Sequence, residues 1–153
     1  MELCFGPFAQ FVVDNRETLF VDADPRVASF FLWHMVEEFE HRNAAIDIYN
    51  DVVGSYWFRL KTVPKVIKHL AEINTIIETA FQQHCPPQTG QVALWKTAPF
   101  FKHVPLKNRM STLYQLSCTL LPYHRPDSLR QPEWVGQWVA DEAAGVDMTT
   151  YYP

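Results

Sequence analysis

Trp33-His34-Met35-Val36-Glu37-Glu38-Phe39-Glu40-His41 decides how this chain is read. Five residues able to bind a metal ion (His34, Glu37, Glu38, Glu40 and His41) fall within eight positions of a segment that otherwise reads as helix. At about 100° per residue, His34, Glu37, Glu38 and His41 share an arc of roughly 100°, and Glu40 points elsewhere. The same stripe runs on through the apolar Ala45 and Ile48. Imidazoles and carboxylates in line with an apolar seam are expected to face a bundle interior. Ionisable groups are expensive there unless something compensates them, and a bound ion would.

The donor types suit a first-row divalent metal such as iron, manganese or zinc. Helical bundles hold such ions with a Glu from one helix and a Glu-x-x-His from another. Glu38-Phe39-Glu40-His41 supplies the second element, and its end residues share a face at i, i+3. Glu2 is the candidate lone carboxylate of the neighbouring helix. Its register against Glu38 is offset by several residues, which a kink at Pro7 or an irregular turn must absorb. His34, one turn before Glu38, is a further ligand or orients one. Glu37 is a ligand to a second ion or a catalytic base. The competing reading is a solvated face, with Glu38–Arg42 and Glu37–His41 as surface pairs at i, i+4.

Outward from this stretch the pattern is helical throughout, and no segment alternates as a strand does. A first helix is expected over 2–20, with Phe5, Phe8, Ala9, Val12 and Val13 near helical spacing. Asp24-Pro25 is an N-cap followed by a proline at the first helical position, so a long helix should start at Pro25 and run to about Phe58. Gly54-Ser55 bends or ends it. A third helix is expected from Val63-Pro64 to about His84, closed by Cys85-Pro86-Pro87. Residues 86–108 are less regular, though Trp95, Phe100 and Phe101 suggest packing. Helices are expected again over 108–121 and 132–143, the latter with Trp134 and Trp138 at i, i+4. The tail to Pro153 reads as loosely ordered. The expectation is a single all-α domain over 1–153: a metal-motif helix pair (1–60), further helices (61–122), and a C-terminal helix and tail (123–153).

The chain of 153 residues is long enough for a real core, and its 14% aromatic content gives that core large rigid surfaces. Lys and Arg are scattered and the net charge is -4, so nothing points to nucleic acid. No run of eighteen apolar residues suggests a membrane span, and no secretory signal is evident. Cys4, Cys85 and Cys118 form no paired motif and fit free thiols in a reducing cytoplasm. Ser111 and Ser117 lack a His–Asp arrangement, and there is no glycine-rich phosphate loop. His69 reads as surface and His84 as a helix-end residue. His103 and His124 lie in loops, and His124 is the loop histidine most able to reach a site. Asp47 is an orienting or surface residue. The chain opens on apolar Leu3-Cys4-Phe5 with no polar lead-in, as though a partner preceded it.

Trp33 to Tyr49 resembles the signature of a bacterial family of predicted metal-dependent hydrolases. That signature is Trp-His-x-x-Glu-Glu-x-Glu-His followed by aliphatic-Asp-x-Tyr, here Ile46-Asp47-Ile48-Tyr49. Glu2-Leu3-Cys4-Phe5 looks like the family's Glu-His-Phe-Thr helix, with Glu2 kept and Leu3 in place of histidine. The region Pro122–Trp138 resembles the family's proline-rich, histidine-containing end more weakly. The resemblance implies a ferritin-like bundle. It also implies a preceding half with another Glu and another Glu-x-x-His, so that this chain corresponds to the C-terminal half only. A two-metal site would then need the missing helices from another chain or from a second copy.

Three functions follow as expectations. The first is a metal-dependent hydrolase acting on a small molecule, with Glu2, His34, Glu38 and His41 as metal ligands and Glu37 as catalytic base. The second keeps the metal but changes the reaction to ferritin-like di-iron oxygenase or oxidase chemistry. The third is a truncated, inactive helical interaction domain whose uncovered seam drives homo-oligomerisation.

Overall fold

The computed structural model describes residues 4–84 and 103–152, and every regular element among them is helical. In chain order these are α1 (Phe5–Asp14), α2 (Arg16–Leu19), α3 (Pro25–Glu40), α4 (Ala44–Val52), α5 (Tyr56–His84), α6 (Leu106–Cys118) and α7 (Glu133–Ala143). Short 3-10 turns cover Pro126–Ser128 and Met148–Thr150. The all-α class expected from the periodicity is what the chain adopts. Among the described residues no helix is long and apolar enough to cross a membrane.

The chain divides into two compact units. One takes residues up to Gly54 and from His103 on; the other is Ser55–Lys102. In the first, α1 packs against α3 and α6, and α3 also packs against the turn Met148–Thr150. Its core joins Ala9, Val12 and Val13 of α1 to Leu32, Val36 and Phe39 of α3 and to Val135 and Trp138 of α7. These side chains are under 5% exposed, so each Val, Leu and Phe among them contributes close to its full burial free energy of about 1.5–3 kcal/mol. In the second unit the described element is α5. It starts seven residues before the expected Val63, because Ser55 Oγ accepts the amide hydrogen of Phe58 at 3.3 Å and caps the first turn. Pro64 then lies inside the helix.

Other boundaries also differ from expectation. The first helix does not run to residue 20. Asn15 is buried, and its side-chain amide donates to the Phe11 carbonyl at 2.7 Å, which closes α1 before the separate turn of α2. The long second helix is two helices. The start at Pro25 is as expected, with Asp24 Oδ1 accepting from the Arg26 amide at 2.9 Å. At the other end the His41 amide closes the last turn on Glu37, and Arg42 diverts the chain. Its guanidinium lies 4.2 Å from the Phe39 ring centroid, donates to the Phe39 carbonyl, and donates through Nε to Pro126 at 3.2 Å. Arg42 is held across the fold, so residues 41–43 turn instead of continuing the helix.

The tail is not loose. Tyr151 Oη donates to Asp141 at 2.6 Å and Tyr152 Oη to the Arg16 carbonyl at 3.2 Å. The Tyr152 ring also meets Phe20 edge-on at 5.9 Å. Cys4 and Cys118 are free thiols. Glu2, Cys85-Pro86-Pro87 and Trp95, Phe100 and Phe101 lie outside the described residues.

Candidate metal centre

The residues of α3 divide sharply by face. Ala28, Ser29, Leu32, Met35, Val36 and Phe39 are buried. Their spacing is that of one helical stripe about 120° wide. His34, Glu37 and His41 lie on the opposite side, roughly 140–200° from Leu32, with Glu38 at the edge of that arc. The seam expected to carry them inward through Ala45 and Ile48 does not do so, since Ile48 is 64% exposed. The row therefore faces away from the packed core of its own unit. The periodicity contained both stripes, and the apolar one is the stripe that α1 covers.

Within the row the structure brings together one pair. His34 Nε2 lies 3.6 Å from Glu38 Oε1, the separation of one helical turn. The His34 side chain is half exposed, whereas Glu38 keeps 21% of its surface and is mostly covered. Glu37 is half-buried. His41 is exposed at the C-cap of α3, and Glu40 is exposed as well. The alternative surface pairs do not form. Arg42 is committed to Phe39 and Pro126, and Glu38 turns to His34 instead.

Donor chemistry fits a metal better than donor number does. Imidazole and carboxylate one turn apart are a natural two-point grip on a first-row ion. Two donors do not complete a shell, however, and no group of three or more His, Cys, Asp or Glu gathers among the described residues. Glu2, the carboxylate expected from the first helix of the sequence reading, lies outside them.

Val27, Phe30, Phe31 and Trp33 stand on or beside the same outer face and are 38–69% exposed. Phe30 and Trp33 stack on each other at 5.8 Å, and Phe31 meets Phe20 at 5.6 Å. The row thus has an aromatic border at its N-terminal end.

The remaining histidines sort as follows. His69 is a surface residue, 4.0 Å from Glu72. His84 and His103 are exposed. His124 lines a cavity of about 320 Å³ with Asn43, Asp47, Asn50 and Asp127. No spacing in the sequence announces this meeting; the Arg42–Pro126 bond brings the loop to the start of α4. A second feature without sequence signal is a polar groove of about 670 Å³ lined by Gln10, Asp14, Arg16, Arg130 and Trp134 among others. Burial pushes the Asp14 carboxyl above the usual carboxylate range, against the opposing effects of Gln10 and Arg16.

The sequence profile of a family described as predicted metal-dependent hydrolase matches residues 1–127. No curated protein and no solved structure shows significant similarity. The matched span takes in Glu2, all of α3 with its outward row, and the loop bearing His124, so the chain belongs to the predicted metal-dependent hydrolase family.

Proposed function

We propose that this protein is a metal-dependent hydrolase of a small-molecule substrate, with His34 and Glu38 as the first two metal ligands. The observation that carries this is the His34–Glu38 pair, which sits on the face of α3 turned away from the buried Leu32, Val36 and Phe39 stripe. Family membership supports a metal, and the imidazole–carboxylate pair supports where it binds. Glu2 and His41 are assigned as further ligands, in keeping with the one-carboxylate-plus-Glu-x-x-His pattern of ferritin-like bundles. Glu37, next to Glu38, is assigned as the base. When bound, the ion supplies Lewis-acid polarisation and lowers the pKa of coordinated water. The chain's own contribution is to orient the donors. Burial of the Glu38 stem restricts its rotamers, and the spacing holds His34 beside it.

The test is elemental analysis of purified protein together with binding of zinc, iron(II) and manganese(II). Wild-type protein should retain or take up one of these ions. His34→Ala and Glu38→Gln should each lose it with the far-UV circular dichroism unchanged. Uptake untouched by both substitutions ends the assignment. A second reading, a helical interaction module, rests on the exposed aromatic border of the same face. Absence of any of the three ions from a folded wild-type protein favours it.

A further inference from the structure

Helix α6 is inside out. Its polar side chains face α1: Asn108 Nδ2 donates to Asn15 Oδ1 at 2.7 Å, and Gln115 Nε2 donates to Gln10 Oε1 at 3.3 Å. Asn108, Ser111, Thr112 and Gln115 line the cavity between the two helices. Leu106, Met110, Leu113 and Tyr114 form the opposite stripe and are 56–72% exposed. An amphipathic helix normally buries its apolar stripe and wets its polar one. Here the polar stripe is satisfied within the fold, and the apolar stripe needs another surface.

We propose that two copies of this chain pair antiparallel through the outer face of α6. Two observations favour a second copy as the occupant. The first is charge. Helix α6 contains no acidic residue, and its only basic ones, Lys107 and Arg109, lie near its N-terminus. They flank the stripe one on each side, at about 100° from its polar centre. Cations at a helix N-terminus oppose the helix dipole, and its C-terminus attracts them. An antiparallel copy sets the Lys107 and Arg109 end of each helix beside the C-terminal turn of the other, whose dipole attracts cations and offsets their unfavourable position on their own helix. The second is area. At their observed exposure the four apolar side chains offer roughly 500 Å² per copy, so complete coverage buries at most roughly 1,000 Å² in all, the size of a weak, transient interface. The flanks add to this. The stripe is uncharged along its length, so isologous contact juxtaposes no like charges at its centre.

Sedimentation velocity of the full chain from about 2 to 200 µM tests the pairing, a range suited to a small interface. The expected result is a concentration-dependent monomer–dimer equilibrium, weakened at least about tenfold by Tyr114→Glu, which places a charge on an aromatic contact. Leu113 is central to the stripe. In a background with the three native cysteines replaced by Ser, Leu113→Cys should therefore link to its own copy under mild oxidation. A monomer at the highest concentration overturns the proposal, and so does a dimer indifferent to Tyr114→Glu in a protein with wild-type circular dichroism. Failure of Leu113→Cys to cross-link overturns the antiparallel geometry.

Discussion

Replacing Arg42 should destabilise the fold more than a half-exposed arginine usually does. Its guanidinium donates to two backbone carbonyls, those of Phe39 and Pro126, and lies over the Phe39 ring at 4.2 Å. Its stem lies on α1 at Gly6, where an added Cβ would stand 3.5 Å from Arg42 Cβ. A charged hydrogen bond at a half-exposed site contributes about 1 kcal/mol after solvent screening, and the ring contact about 0.5 kcal/mol. Loss of the stem adds about 0.5 kcal/mol. Arg42→Ala should then cost about 3 kcal/mol and lower the melting temperature by about 6–12 °C for a chain of this size. Arg42→Met keeps the stem and should recover only the last term. Arg42→Lys has a point charge in place of a planar fork and should hold one carbonyl, not both, and fall between wild type and Arg42→Met. Urea denaturation followed by circular dichroism measures all three. If Arg42→Ala and Arg42→Met both stay within about 0.5 kcal/mol of wild type, Arg42 does not anchor the loop to α3 and the account of the helix break is wrong.

Two other outcomes bear on stability. Asp14 has a folded pKa above its unfolded value, so the native state holds this proton more tightly and the group weakens the fold at pH above that raised pKa. Asp14→Asn should therefore raise the melting temperature at pH 7, with the gain shrinking as pH falls through the raised pKa and vanishing below the ordinary one; a gain independent of pH contradicts this. Removal of residues 147–153 should lower the melting temperature and increase protease sensitivity around Asp141. It deletes the Tyr151–Asp141 and Tyr152–Arg16 hydrogen bonds and the Phe20–Tyr152 ring contact. An unchanged melting temperature would show that the tail does not contribute to the fold.

Local chemistry made some of this structure readable and hid the rest. Asp24-Pro25 announces a helix start without tertiary help, and the structure puts the cap bond where the residues predict it. The end of that helix is written nowhere near Glu40. It depends on Arg42 reaching a carbonyl 84 positions away. The tail failed for the same reason: its two tyrosines are satisfied by Asp141 and Arg16, which local periodicity cannot reveal. Beside Gly54, Ser55 reads as part of a stop, although a serine cap serves equally well as a start. The angular clustering of His34, Glu37, Glu38 and His41 was legible. Its direction was not, because helical spacing groups residues onto a face without saying which face another helix will cover.

Because the packing of α3 against α1 makes little demand on the exposed positions 34 and 41, natural variation there carries little folding cost. Across relatives, constancy at those two positions would point to a constraint other than folding, as the proposed metal site requires. Drift at the same positions, with Leu32, Val36 and Phe39 held fixed, would mark lineages that kept the scaffold and abandoned its chemistry.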